Sequence, residues 1–226
     1  MSPIIISFYT KNTFYESEVQ NLIESCKKFD LEYQIEAVDS LGSWEYNCCY
    51  KPIFILKKLL TLKKPVLWID ADGVIVKKPD LHWKEYSDIA LRLHESLSLD
   101  HPSKVCTMSL FADYTKEALE LIRLWKEECR IRLLEKCEDQ VWDQKCLRDV
   151  IYQKTHHAKV HPIPMGYCRI YDKESDKVPK EETYIIHYQA SRLYKKIIDG
   201  EVIAFNGLEK LSGKEIQKLR TGNLHF

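Results

Sequence analysis

The chain has 226 residues, and its 34 Lys+Arg balance 34 Asp+Glu to a formal net charge of zero. Hydrophobic residues at 45% and charged residues at 30% are the mixture of a globular protein and exclude global disorder. The lack of a basic excess argues against a dedicated nucleic-acid binder, so no nucleic-acid partner is expected. Met1-Ser-Pro-Ile-Ile-Ile carries no basic region before its short apolar run, so no signal peptide is expected, and no stretch approaches membrane-span length. The 8 cysteines include no Cys-x-x-Cys pair and are expected to be reduced thiols of a cytoplasmic protein. Cys48-Cys49 reads as a thiol pair in a loop, because a zinc site needs more ligands at closer spacing.

In chain order, Ile4 to Thr10 is a continuous apolar, β-branched and aromatic run, as in a buried parallel strand. Tyr15 to Phe29 places Val19, Leu22, Ile23, Cys26 and Phe29 on one helical face. Leu31 to Val38 alternates and reads as a second strand, followed by a loop with Gly42, Trp44 and Tyr46. Pro52 suits the first turn of a helix running to Leu62, and Val66 to Ile69 is a third strand. This β-α-β-α-β order predicts an α/β sheet with parallel strands. Strands are then expected at Asp88 to Leu93 and Val105 to Phe111. Helices are expected from an N-cap at Thr115 to Leu134 and from Asp139 to Tyr152. Short strands at Val160 to Ile163 and Thr183 to Tyr188 complete a domain over 1–199. Residues 200–226 read as a C-terminal extension of the same domain.

In an open α/β sheet, ligands bind at the carboxyl ends of the strands. Phe8-Tyr9-Thr10, Asp39 and Asp70-Ala71-Asp72 all fall at such ends. The last is the sharpest: two carboxylates separated by one small residue can face one hard cation, Mg²⁺ or Mn²⁺. On the predicted helix from Asp139, Asp143 falls among Trp142, Cys146, Leu147 and Val150 on the apolar side. A carboxylate turned inward needs a partner. Either a backbone N–H or an Arg satisfies it, or it lines a pocket. Asp139 is more simply an N-cap. His187 closes the last strand, and its strand-end position implies partial exposure; imidazole beside carboxylates suits Mn²⁺. His156, His157 and His161 have no acidic neighbour and read as surface residues. The lysine pairs at 57-58, 63-64 and 77-78 read as solvated faces, or as a peripheral contact with an anionic membrane surface.

Val-Leu-Trp-Ile-Asp70-Ala-Asp72-Gly73 resembles two families. One is the haloacid-dehalogenase-like phosphatases, in which Asp70 would be the nucleophile. That family normally opens on its D-x-D-G strand and needs a later acidic pair; here a β-α-β unit comes first and no such pair follows. The other is the metal-dependent GT-A glycosyltransferases of the nucleotide-diphospho-sugar transferase type. Their likeness runs from Ile4 to Lys196, through Phe8-Tyr9-Thr10, Tyr50-Lys51-Pro52, Trp68-Ile-Asp70-Ala-Asp72, Ser109 to Leu119, Trp142-Asp143-Gln144 and the strand ending in His187. This resemblance implies a single Rossmann-like domain with a mostly parallel sheet and helices on both faces. It also implies transfer of a sugar from a nucleotide diphosphate sugar, expected to be UDP-linked, to an acceptor hydroxyl. The acceptor would be a glycan, a lipid-linked sugar or a protein. Asp70, Asp72 and His187 would hold the metal, with Asp70 also bridging to ribose. Phe8, Tyr9, Thr10 and Asp39 would form the base and ribose pocket. Lys51 and Gln144 would contact the nucleotide sugar, and Asp143 the transferred sugar or the acceptor hydroxyl. The family's His-x-x-Gly-x-x-Lys is altered here, with Ala190 for Gly and Leu193 for Lys, so Arg192 or Lys195 would hold the diphosphate. A module that kept nucleotide binding and lost transfer is the non-enzymatic alternative.

Overall fold

The computed structural model describes residues 2–81, 85–135 and 140–189. Its elements are β1 (Ile4–Thr10), α1 (Tyr15–Lys28), β2 (Tyr33–Val38), α2 (Trp44–Cys49), α3 (Lys51–Leu62), β3 (Val66–Ile69) and β4 (Gly73–Ile75). Then follow β5 (Ile89–Leu93), β6 (Val105–Ala112), α4 (Lys116–Glu135), α5 (Asp143–Gln153), β7 (Val160–Pro162), β8 (Arg169–Ile170) and β9 (Ile185–His187).

Six strands form the central sheet in the order β2-β1-β3-β6-β5-β7. β1 pairs in parallel with β2 and with β3, and β5 in parallel with β7. β6 runs antiparallel to both β3 and β5 and is the reversed strand of the sheet. The sheet is therefore mostly parallel, as the β-α-β-α-β pattern predicts. Strands buried on both faces need apolar residues at every position, which Ile4-Ile5-Ile6 and Val66 to Ile69 provide. Ile4, Ile6, Val66 and Trp68 pack with α3, α4 and α5 through Phe54, Leu59, Leu121, Trp125 and Leu147. Ile5, Leu67 and Ile69 pack on the other face with Leu22 and Cys26 of α1 and with Tyr167 and Ile185.

Local chemistry sets the helix ends. Glu16 and Glu18 open α1 and Lys27 and Lys28 close it, each charge matching the helix dipole. Pro52 occupies the first turn of α3, and Lys63 ends that helix in a left-handed conformation at φ 51°. Thr115 caps α4 as predicted, its hydroxyl accepting the Ala118 N–H at 3.1 Å.

Several expectations are corrected. The segment read as a loop around Trp44 and Tyr46 contains the short helix α2, opened by Ser43, whose hydroxyl accepts the Tyr46 N–H at 3.3 Å. Cys48-Cys49 is thus helical, and Cys49 is buried in the same cluster as Cys129 and Cys146. All cysteines among the described residues are free thiols. The last long helix begins at Asp143 rather than Asp139, which lies outside the described residues, as do residues 200–226. Lys58 is not on a solvated face: it is buried, with its ammonium 2.6 Å from Gln34 Oε1 and 2.5 Å from Glu36 Oε1. Lys77 is also engaged, donating to the Glu181 carbonyl at 2.5 Å. His157 is exposed, whereas His156 and His161 are half-buried. No described helix is long and apolar enough to cross a membrane.

Two further features place the site. β6 carries a bulge: Leu110 pairs with Leu91 and Cys106 with Arg92, so 107–109 have no partner on β5. A second sheet of order β4-β9-β8 holds β8 and β9 against the turn after β3. Its position depends on a backbone contact at Gly166, where an added Cβ would lie inside the Glu182 carbonyl oxygen and 3.4 Å from Thr183 Cα. The Gly166 carbonyl also accepts the Tyr184 N–H at 2.8 Å. Since backbone rather than a flexible side chain would have to yield, Gly166→Ala is expected to destabilise the fold by roughly 2 kcal/mol or more. A urea denaturation midpoint indistinguishable from wild type would contradict this close packing.

Candidate functional site

The carboxyl ends of β1, β2 and β3 lie along one edge of the sheet, because all three run in the same direction. Ile6 is level with Trp68, and Phe8, two residues further on, packs against the Trp68 ring. The Asp70 N–H is fixed by the Met108 carbonyl at 2.9 Å, and the Gly73 N–H returns to the Asp70 carbonyl at 2.8 Å, forming a tight turn. Gly73 is required by space: an added Cβ would lie 2.5 Å from Ile69 Cγ2, 3.0 Å from the Asp70 carbonyl and 3.2 Å from His187 Cε1.

On one side of this turn stands a buried charge network. Lys51, in the first turn of α3, places its ammonium 2.9 Å from Asp70 Oδ1 and 3.2 Å from Asp143 Oδ2. It also donates to Thr107 Oγ1 at 3.2 Å, and Thr107 donates to Asp143 Oδ2 at 2.9 Å. The Trp68 indole N–H donates to Asp70 Oδ1 at 2.8 Å. Burial alone would draw the Lys51 pKa down, but the Asp143 and Asp70 charges outweigh it and hold the ammonium firmly protonated. Burial pushes the Asp70 carboxyl above its ordinary value; Lys51 opposes this, and the nearby Asp72 charge adds to it. The buried Asp143 thus has a cation for its partner, and that cation joins it to the Asp70-Asp72 turn. Trp125 fixes its backbone as well, donating from the indole to the Asp143 carbonyl at 2.7 Å.

On the other side stands His187. β9 pairs antiparallel with β4, with Gly73 opposite His187, and the Tyr188 N–H donates to the Asp72 carbonyl at 3.1 Å. The ring is fully buried rather than partly exposed, because β9 is covered by the neighbouring turn and by β6. Its Nε2 lies 2.9 Å from Ser109 Oγ. Its Nδ1 faces Asp72 Oδ1 at 3.8 Å and finds no hydrogen-bond partner among the described residues.

The remaining predicted residues are distributed around this centre. Phe8 packs in an aromatic group with Tyr50, Phe54 and Trp68, at ring-centroid distances of 5.2, 5.3 and 5.3 Å. Tyr9 is half-buried, Thr10 is buried, and Asp39 is exposed and paired with Lys11 at 3.1 Å. The Gln144 amide spans two backbone groups, donating to the Pro102 carbonyl at 2.9 Å and accepting the Thr107 N–H at 3.4 Å. Arg192 and Lys195 lie outside the described residues.

Three contributors escape the sequence reading. Thr107 and Ser109 are polar residues two apart on a buried strand, and in regular β geometry both would face the same way. The bulge at 107–109 turns Thr107 toward Asp143 and Ser109 toward His187, on opposite sides of the sheet. The third is Glu18 of α1, whose carboxyl is pushed up to about 7 by burial and then by the Asp72 charge. An acid in the first turn of a helix is ordinary, and only the packing of α1 over the turn reveals it.

A divalent cation fits this arrangement in its donor chemistry. Asp72 and the unpartnered His187 nitrogen are oxygen and nitrogen donors facing one another, and Asp70 is adjacent. Among the described residues no group of three His, Cys, Asp or Glu side chains forms a metal shell.

No family model matches the chain, and no curated protein matches it. Solved structures do. One is described as a glycosyltransferase involved in the glycosylation of the major capsid of PBCV-1, with 16% identity and a TM-score of 0.57 over 85% of this chain and 98% of that one. Another is the glycosyltransferase GlyE of Streptococcus pneumoniae TIGR4, with 13% identity and a TM-score of 0.50 over 83% of this chain and 55% of that one. The chain therefore has a GT-A-like α/β fold: one domain, a mostly parallel central sheet, helices on both faces.

Proposed function

We propose that the chain is a glycosyltransferase that moves a sugar from a nucleotide diphosphate sugar, UDP-linked, to an acceptor hydroxyl of a glycan, a lipid-linked sugar or a protein. The observation that carries this reading is the meeting, at the carboxyl end of β3, of the Asp70-Asp72 turn with His187 on one side and the Lys51–Asp143 pair on the other. The fold shared with glycosyltransferases supports it.

Asp72 and His187, with Asp70 beside them, would hold Mn²⁺ or Mg²⁺. When bound, the cation would neutralise the negative charge that grows on the departing diphosphate. Phe8, Tyr9, Thr10 and Asp39 would receive the base and ribose along the adjacent strand ends. Lys51 bridges the Asp70 and Asp143 carboxylates and offsets their mutual repulsion. Asp143 would contact the hydroxyls of the transferred sugar or orient the acceptor hydroxyl. Gln144 would steady that contact through its two backbone bonds. Arg192 and Lys195, following His187 in sequence, would add positive charge for the diphosphate.

The direct test is release of UDP from a panel of UDP-sugars with Mn²⁺, measured beside phosphate release from p-nitrophenyl phosphate. UDP release alone supports transfer; phosphate release alone indicates the Asp70 phosphatase. Metal-dependent UDP binding without turnover of any donor indicates a binding module. Asp72→Asn is expected to abolish turnover and the Mn²⁺-dependent rise in melting temperature given by UDP; wild-type activity in this variant would remove the metal role. Asp143→Asn is nearly isosteric and can keep the Thr107 bond. It is expected to lower transfer more than tenfold, about 1.4 kcal/mol of transition-state stabilisation, with UDP affinity nearly unchanged. A parallel loss of UDP affinity and transfer would instead assign Asp143 to holding Lys51 and Asp70.

A further inference from the structure

We propose that Ser109 is a positioning residue that lets His187 serve as a cation ligand through Nδ1. The inference rests on the metal reading of Asp72 and His187. Both Ser109 and His187 are 0% exposed, so water cannot reach the contact between Ser109 Oγ and Nε2, which is 2.9 Å long. Nε2 is thereby committed, and the ring is held with Nδ1 directed at Asp72 Oδ1, 3.8 Å away. The ring fits here because residue 73 is glycine: a Cβ there would lie 3.2 Å from His187 Cε1.

A neutral imidazole has one N–H, and the nitrogen that binds a cation must be the bare one. With a cation held by Nδ1, the proton would stand on Nε2 and Ser109 Oγ would accept it. Without a cation, the favourable place for the proton is Nδ1, facing the Asp72 carboxylate, and Ser109 then donates its hydroxyl proton to Nε2. The exchange is balanced: one N–H is lost at Nδ1, one is gained at Nε2, and the ring carries a single proton in both states. A hydroxyl can serve both states by rotating, since it is donor and acceptor at once. A carboxylate or an amide N–H at this place would serve only one. The bulge at 107–109 is what brings this hydroxyl to the ring from the middle of a buried strand.

The full chain without nucleotide is titrated with Mn²⁺, and free Mn²⁺ is followed by its electron paramagnetic resonance signal. Wild type is compared with Ser109→Ala, Ser109→Cys and His187→Ala. Loss of an outer partner of a ligating histidine typically weakens metal binding 10- to 100-fold. Ser109→Ala is expected to fall in that range, Ser109→Cys between it and wild type, and His187→Ala at or beyond Ser109→Ala. In ¹⁵N spectra of the ring, adding Mg²⁺ to wild type is expected to move the proton to Nε2, with this shift reduced in Ser109→Ala. If Ser109→Ala fails to fold, Ser109→Cys carries both measurements. Wild-type Mn²⁺ affinity in the serine variants, with loss in His187→Ala, overturns the role of Ser109 and leaves the metal reading standing. Weakened binding with an unaltered tautomer response also overturns it, as a general structural effect. Wild-type affinity in His187→Ala, or a wild type that leaves all Mn²⁺ free, overturns the metal reading itself.

Discussion

An ammonium removed from water must be matched by carboxylates at contact distance, and the buried Lys51 imposes this on four elements together. Its partners come from the end of β3, the start of α5 and the bulge of β6, while the lysine itself opens α3. Breaking such a buried arrangement by removing one charge typically costs 3–5 kcal/mol, because the remaining charge is left uncompensated. Asp70 and Asp143 would repel each other without the cation between them. Their nearness is therefore conditional on Lys51. A lysine next to Pro52 in a helix's first turn is common; here the turn aims it under the sheet edge, where Trp68 also lends an indole N–H to Asp70.

The centre is built from two packing layers that meet at the sheet edge. The layer of α3, α4 and α5 carries Lys51 and Asp143, and the opposite layer carries His187 on the small second sheet. The turn Asp70-Ala71-Asp72-Gly73 passes from one to the other. Its first carboxylate is engaged on the helical side and its second faces the histidine. Glycine follows directly because the histidine ring and the Ile69 side chain leave no room for a Cβ. The same four residues join the two layers, and each carboxylate of the turn meets a different one.

Much of this was legible in the residues. Continuous apolar runs identified β1 and β3, helical spacing identified α1 and α4, and strand-end placement singled out Asp70, Asp72 and His187. Asp143 stood out because a carboxylate occupied an apolar position, and it does have the charged partner that such a position demands. Other elements were hidden for physical reasons. β4 and β8 have three and two residues, too few for a period to register. α2 is six residues long and rests on a single serine cap rather than on an apolar stripe. The Lys51 ion pairs join residues 19 and 92 positions apart, a separation that local spacing does not encode. The burial of His187 depends on β6 and β4 closing over it, so its strand-end position alone misjudged its exposure.

The bulge in β6 makes chain length, as distinct from residue identity, a condition of the site. Alternation in a strand has a period of two, and a one-residue slip exchanges its faces. Three residues between Cys106 and Leu110 are left without partners on β5, and within that interval the strand changes which face its side chains address. Removing one of them would send Thr107 or Ser109 to the wrong side while leaving the composition of the strand almost unchanged. Adding one would do the same. A substitution at either hydroxyl touches one side of the site only. A change of count at 107–109 would disturb the lysine side and the histidine side in a single event.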